Sequence, residues 1–319
     1  MAIPAVQSVR EGARVTACKN NLRQLATATI SYESANRRLP PGTLGFEGAI
    51  ISSFSDFPTT QNDANFKYYL GKNQNTSWIA QLLGFLELSP LSDQLPSICT
   101  DSKSDLTNST FFPSGLYAFS EVQVVMETPI SVVECPSDSL AVALKNPVGS
   151  QPVYATDEQI DVFFYLIVEE FPMAGTNYAG CSGAYSGGKI PVIDMLRYDG
   201  VFGSRSKTRL ADVRDGTSNT ILIGESSGHI IGRERQSQNP WLFAALARGR
   251  SDLDWRTQSS IRSPGLELLG DSWFAHQTGF ASMHPTSVNF AHVDGSVHAV
   301  NRAIDWQTLY SLCGMKDGE

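Results

Sequence analysis

The segment Gly183-Ala-Tyr-Ser-Gly-Gly188-Lys189 has the GxxxxGK spacing of a loop that wraps phosphates in backbone amides. That chemistry also needs a helix opening on Ser or Thr directly after the lysine, to hold magnesium. Ile190 and Pro191 stand there instead, so the segment reads as a glycine loop between strands. Histidines gather toward the end of the chain, at His276, His284, His292 and His298. This residue type binds zinc, but no HExxH and no CxxC pair accompanies them, and they read as packing and hydrogen-bonding residues. Asp138, Asp215, Glu225 and Asp294 are acids that calcium could draw from scattered loops. The plainer reading makes Asp138, Asp215 and Asp294 turn residues whose carboxylates accept backbone N–H groups. No GxSxG elbow exists, and no serine or cysteine is spaced with a histidine and an acid for nucleophilic catalysis. The chemistry therefore points to no enzyme, no catalytic residue and no metal site, with calcium the one cofactor left open.

Five cysteines, Cys18, Cys99, Cys135, Cys181 and Cys313, are too few for a disulfide scaffold and leave at least one without an intramolecular partner. Cys135 and Cys181 lie in two turn-rich segments and are left open as either a disulfide, if the protein works outside the cytoplasm, or two separate buried thiols. Hydrophobic residues make up 41% of the 319 and charged residues 18%, which excludes a disordered chain. A net charge of −8 excludes a basic nucleic-acid binder. The charge is uneven: residues 1–38 hold six cations and two anions, +4, which leaves −12 for residues 39–319.

The elements that must position these groups begin with residues 4–38. Apolar or small side chains at Val6, Val9, Ala13, Ala17, Cys18, Leu22, Leu25, Thr29 and Tyr32 recur at helical spacing. Pro4 suits a first turn and Pro40-Pro41-Gly42 stops the helix. Residues 78–88 predict a second helix despite Gly84. Residues 116–135, rich in β-branched side chains, predict strands ending in a turn at Cys135-Pro136-Ser137-Asp138. Residues 161–171 predict a core strand, 175–188 a glycine-rich loop, and 220–224 a short buried strand after Asp215-Gly216. Asp294-Gly295 predicts a two-residue type I′ hairpin between residues 288–293 and 296–300. That register sets Phe290, His292, Val297 and Ala299 on one face and His298 on the other. Asp305 is placed to cap a last helix over residues 306–313.

The motifs, in order, resemble one family. Residues 3–14 (IPAVQSVREGAR), Cys18-Lys-Asn-Asn-Leu22, Ser31-Tyr32 and Leu39-Pro-Pro-Gly42 resemble the opening of the bacterial pilin-like family known as domain of unknown function 1559. The Trp-containing helix at 78–88 follows, then the CPSD turn carrying Cys135, Pro136 and Asp138. Next come the NYxG segment of Asn177, Tyr178 and Gly180, and residues 199–203 (DGVFG). Residues 210–225 (LADVRDGTSNTILIGE) contain Asp215, Gly216, Asn219 and Glu225. Finally His284, nine residues and Asp294-Gly295 resemble the prepilin-type processing-associated H-X9-DG domain.

The resemblance implies an α+β, type IV pilin-like fold: a long N-terminal helix on an antiparallel sheet, with large loop insertions. It implies a stem helix over 1–38 and a globular head over 39–319 that includes the hairpin at 284–300. In such families a leader, a cleavage site and an apolar half-helix precede the Pro-Ala-Val stretch, so the chain reads as the soluble part of a protein otherwise anchored in the cytoplasmic membrane. The expected function is a non-enzymatic pilin or pseudopilin subunit of a type II secretion or type IV pilus apparatus in the cell envelope. Its partners would be itself or related subunits in a filament. The alternative is a surface-displayed module binding polysaccharide or another extracellular solute, with Tyr68, Tyr69, Tyr185 and Trp255 as an aromatic platform. In this family the signature residues His284, Asp294 and Gly295 are treated as a folding signature.

Overall fold

A computed structural model of the chain describes residues 3–44, 50–51, 74, 76–104, 120–138, 148–155, 159–165, 173–185, 196–231, 234–242, 246–250 and 279–318. Its helices are α1 (Ile3–Asn36), α2 (Trp78–Leu82), α3 (Ser89–Ser92), α4 (Ser120–Met126) and α5 (Trp306–Cys313). Pro4 lies in the first turn of α1. The helix ends where Arg37 enters the left-handed region at φ 58° and its N–H bonds the Glu33 carbonyl. From Cys18 onward one stripe of α1 is fully buried, through Leu22, Leu25, Ala26 and Thr29 to Tyr32. The stripe does not extend to the start as the spacing predicts: Val6 and Val9 are 47% and 74% exposed, and Ala13 is exposed. The described head first grips the helix at Glu11, so the earlier turns project beyond it.

The strands are β1 (Ile50–Ile51), β2 (Val148–Ala155), β3 (Gln159–Tyr165), β4 (Tyr178–Tyr185), β5 (Ile221–Glu225), β6 (His229–Ile231), β7 (Glu234–Ser237), β8 (Leu246–Arg250), β9 (Ser287–His292) and β10 (Val297–Asn301). Five form the main sheet in the order β10-β9-β5-β4-β8. β4 and β8 run parallel and the other pairs antiparallel, so the sheet is mixed rather than antiparallel as expected. β8 reaches β4 only after the chain has passed through β5, β6 and β7, and so long a connection does not impose hairpin pairing. Tyr178, Leu222, Ile223, Ala291 and Val293 pack toward α1, while Ala179, Cys181, Ile221, Val288 and Phe290 pack with Leu309 and Cys313 of α5. Covered on both faces, β5 is buried throughout, which is why residues 221–223 are an unbroken apolar run.

The helix predicted over 78–88 is α-helical only through Leu82 and continues as a 3-10 helix over Leu83–Leu86, and two further expectations about elements fail for physical reasons. Residues 120–126, predicted as strand, form α4: Val122, Val125 and Met126 are buried at helical spacing while Val124 is 59% exposed. Packing of that stripe overrides the β-branched preference. Residues 178–185, predicted as loop, form β4, because the glycines there serve close contact. A Cβ on Gly180 would lie 2.6 Å from Phe202 Cδ2 and 3.0 Å from Trp78 Nε1, two rings stacked 5.3 Å apart. Gly183, at φ 110°, sits where the β4–β8 register shifts. Gly180→Val should therefore cost about 1–3 kcal/mol by overpacking, read as a lower urea midpoint at constant m. An unchanged midpoint would mean the ring stack yields freely.

The hairpin lies where predicted, with one residue more in its loop. The His292 N–H donates to the Ser296 carbonyl and the Gly295 N–H to the His292 carbonyl, both at 2.9 Å. Gly295 adopts φ 83° and Asp294 is not among the positive-φ residues. This is the three-residue loop with glycine in the left-handed position, not a type I′ turn. The shift pairs Phe290 with His298 and Ala291 with Val297, which moves every β10 side chain to the face opposite the expected one. His292 and His298 consequently share a face, ring centroids 5.0 Å apart. Asp305 caps α5 as predicted, accepting from the Thr308 N–H at 2.9 Å. Within the predicted strand 161–171, residues 166–171 lie outside the described residues, as do 186–189 of the glycine segment. No described helix is long and apolar enough to cross a membrane.

Candidate functional site

Segments far apart in the chain meet against the middle of α1. The helix brings Cys18; the turn after the 3-10 segment Ser131–Val133 brings Cys135; the last residue of β5 is Glu225; the loop entering β9 brings His284. Cys18 and Cys135 are joined in a disulfide, Cα atoms 5.2 Å apart. His284 Nε2 lies 3.3 Å from Glu225 Oε1 and 3.9 Å from Cys135 Sγ. All four side chains are buried, and the four ligand-type atoms lie within 4.8 Å of one another. The Cys135–Cys181 disulfide left open by the sequence does not form: Cys181 follows Gly180 on the opposite pleat of β4, facing α5, where its thiol contacts the Cys313 carbonyl at 3.7 Å.

A second layer fixes these groups. Glu11, two helical turns before Cys18 on the same face, places Oε1 2.7 Å from His284 Nδ1 and accepts from Ser137 Oγ at 3.1 Å. Glu225 accepts from the Asn289 N–H and Nδ2, each at 2.9 Å. Arg302 donates to the carbonyls of Ser282 and His284. Burial works against protonating His284, but the bonds and charges of Glu225 and Glu11 outweigh it and hold its pKa above the usual imidazole range. Tyr178 is fully buried, its hydroxyl donating to the Cys18 carbonyl at 3.2 Å, and burial with the Glu225 charge raises its pKa.

The predicted signature residues divide into groups. Cys135, Asn177, Asp138 and Glu225 belong to this cluster or its border: Asn177 Oδ1 accepts from the Cys135 N–H at 2.9 Å, its Nδ2 donates to Asp138 Oδ2 at 2.5 Å, and its carbonyl accepts from the Ser226 N–H at 2.7 Å. Pro136 stands in the turn closed by the Asp138 N–H to the Cys135 carbonyl. Asp215 lies elsewhere, accepting from the backbone N–H groups of Asp317 and Gly318. Gly216, at φ 98°, makes the turn that Asn219 closes with its N–H. Asp294 accepts from Ser296 N–H and Oγ. The four acids considered for calcium therefore do not converge; Asp215 and Asp294 are turn residues whose carboxylates accept backbone N–H groups, whereas the Asp138 carboxylate, also in a turn, accepts from the Asn177 side chain. His276, Tyr68, Tyr69, Trp255 and the Tyr185 side chain lie outside the described residues.

A family model described as "Protein of unknown function (DUF1559)" matches residues 7–307, nearly the whole chain. The chain belongs to that family. No curated protein and no solved structure matches it. In this DUF1559 chain the H-X9-DG spacing has a physical meaning. His284 meets α1 at Glu11 and beside Cys18, and a Cβ on Gly295 would lie 3.3 Å from Ile30 Cδ1 of the same helix. Glu11 to Ile30 spans ~28 Å of helix at 1.5 Å per residue, and between His284 and Asp294 the extended part is β9, Ser287–His292, ~20 Å of strand. The two ends of the signature thus flank β9, and each lies against α1.

Glu11, Cys18, Asn289 and Arg302 were not singled out from the sequence as site residues. The one local signal was that Glu11 and Cys18 stand seven apart on a helix, hence on one face. Chemically, Cys135, His284 and Glu11 line up as thiol, imidazole and carboxylate, but the sulfur is bonded to Cys18 and Nε2 faces Glu225. In this state the DUF1559 cluster is a tie between the helix and the head.

Proposed function

We propose that the chain is a non-enzymatic pilin-like or pseudopilin-like structural subunit of a bacterial secretion or pilus-type apparatus, anchored in the cytoplasmic membrane and assembled with itself or related subunits. The observation that carries this reading is α1. It is 34 residues long, ~50 Å at 1.5 Å per residue, and its first turns are exposed beyond the described part of the head. Farther along, a disulfide, the pair of half-buried Glu11 with buried His284 and an apolar stripe hold it to the head. A helix that carries load between an assembly and a folded head needs such ties, because packing alone lets a helix slide. The basic stem and acidic body also suit head-to-tail copies, whose contact would weaken as salt rises.

The test reverses Arg10, Arg14 and Arg23 to Glu together in the natural full-length protein. All three are exposed; Arg14 lies 3.7 Å from Glu11 and Arg23 bonds Asn20 at 3.1 Å. The head should keep its stability within about 0.5 kcal/mol per site, while cross-linked complexes or filaments in the envelope, scored by electron microscopy, fall severalfold. Wild-type assembly by the reversed protein would overturn the proposal.

A further inference from the structure

We infer that Cys18 and Cys135, once reduced, form with Glu225 and His284 a tetrahedral site for a zinc-class divalent cation. This stands independently of the pilin-like reading. Two thiolates, one imidazole and one carboxylate are a zinc donor set, and the sulfurs disfavour calcium and magnesium. Ligands at ~2.0–2.3 Å from a tetrahedral ion stand ~3.3–3.8 Å from one another. His284 Nε2 already lies 3.3 Å from Glu225 Oε1, an edge length of that tetrahedron, and 3.9 Å from Cys135 Sγ, just beyond its longest edge. The one edge far too short is the sulfur–sulfur bond, which reduction opens. Room for the separating sulfur exists: a cavity of about 10 Å³, close to the size of one water, borders Cys135 and Glu225 between Asn177, Ser282 and Met283.

The surroundings aim the donors as metal sites require. Glu11 occupies Nδ1 of His284, so Nε2 is the nitrogen left to face the site, the arrangement that carboxylates impose on metal-bound imidazoles. The two bonds from Asn289 orient the Glu225 carboxylate. Two thiolates, a carboxylate and a divalent cation leave one negative charge, next to which Arg302 stands close enough to interact with Glu225. The other cysteines, Cys99, Cys181 and Cys313, are buried apart from this cluster, and burial pushes the Cys99 thiol up to about 12.

Disulfide and cation exclude each other. A phosphine breaks the S–S bond, taking oxygen from water to become its oxide while each sulfur gains a proton; the cation then displaces both protons to buffer. A dithiol would do the same work by closing to its own disulfide. The experiment titrates cobalt(II) into the phosphine-reduced full chain under argon. One equivalent should bind with thiolate-to-cobalt charge-transfer bands and tetrahedral d–d absorption, zinc should displace it, and the oxidised chain should bind none. X-ray absorption at the zinc edge should show two sulfurs at ~2.3 Å and two nitrogen or oxygen donors at ~2.0 Å. Glu11→Gln leaves all four ligands in place on a half-buried side chain, and should keep the charge-transfer bands while weakening cobalt about 10–100-fold. Absence of a one-to-one complex, a sulfur count other than two, or wild-type affinity in Glu11→Gln would each overturn the inference.

Discussion

The chain carrying Cys18→Ala and Cys135→Ala should lose roughly 2–5 kcal/mol of stability relative to the oxidised protein. The bond joins residues 117 apart, and closing a loop of that size removes conformational entropy from the unfolded chain on the order of 4–5 kcal/mol in the chain-entropy model. Residual contacts in the unfolded state reduce this, which sets the lower end. For a chain this long each kcal/mol moves the melting temperature by about 2–4 °C or less, so a drop of roughly 5–15 °C is expected. The loss should be local in character. Amides of α1 next to Cys18 should exchange faster before those of β5 and β9, because the helix loses its covalent tie while the sheet keeps both covered faces. Thiol titration of the denatured, unreduced wild type should count three thiols, from Cys99, Cys181 and Cys313. Five thiols, or an unchanged melting temperature in the double variant, would show that the sulfurs do not bridge.

What the sequence made legible was what neighbouring residues decide among themselves. The span of α1, the helix at Trp78, the buried strand at 221–225, the Asp305 cap and the place of the last hairpin all rest on periodicity, proline, capping or a turn dipeptide. The register of that hairpin was not legible, because Asp-Gly serves both two- and three-residue loops; the choice falls to burial of Ala291 and Val297 toward α1. β4 was hidden because Gly180 and Gly183 look like turn residues until Phe202, Trp78 and the β8 bulge are set against them. α4 was hidden because VQVV fits a strand as well as a helix. The site was least legible of all. Glu11 meets His284 across 273 residues, and Cys18 meets Cys135 across 117. Such pairs leave no trace in local pattern, and each residue alone reads as a surface acid or a stripe filler.

Glu225→Ala, with the disulfide intact, should cost about 3–5 kcal/mol, the range for removing one partner from a buried charged network. The carboxylate is the acceptor for the Asn289 N–H and Nδ2 and faces His284 Nε2, in a region sealed by α1 above β5 and β9. Alanine would leave a backbone donor and an amide donor without their protein acceptor, and buried donors left unpaired cost about 1–3 kcal/mol each. Glu225→Gln separates charge from shape. Its carbonyl can still accept from one Asn289 donor, but its amide then faces the other, so a loss of about 1–3 kcal/mol is expected. His284→Ala should cost less when combined with Glu225→Ala than alone, since the two groups share one contact. Urea unfolding of the three single and double variants measures this coupling. Strict additivity would mean that Glu225 and His284 stabilise the head separately, and that α1 is held by the disulfide and its apolar stripe without the carboxylate–imidazole link between β5 and the helix.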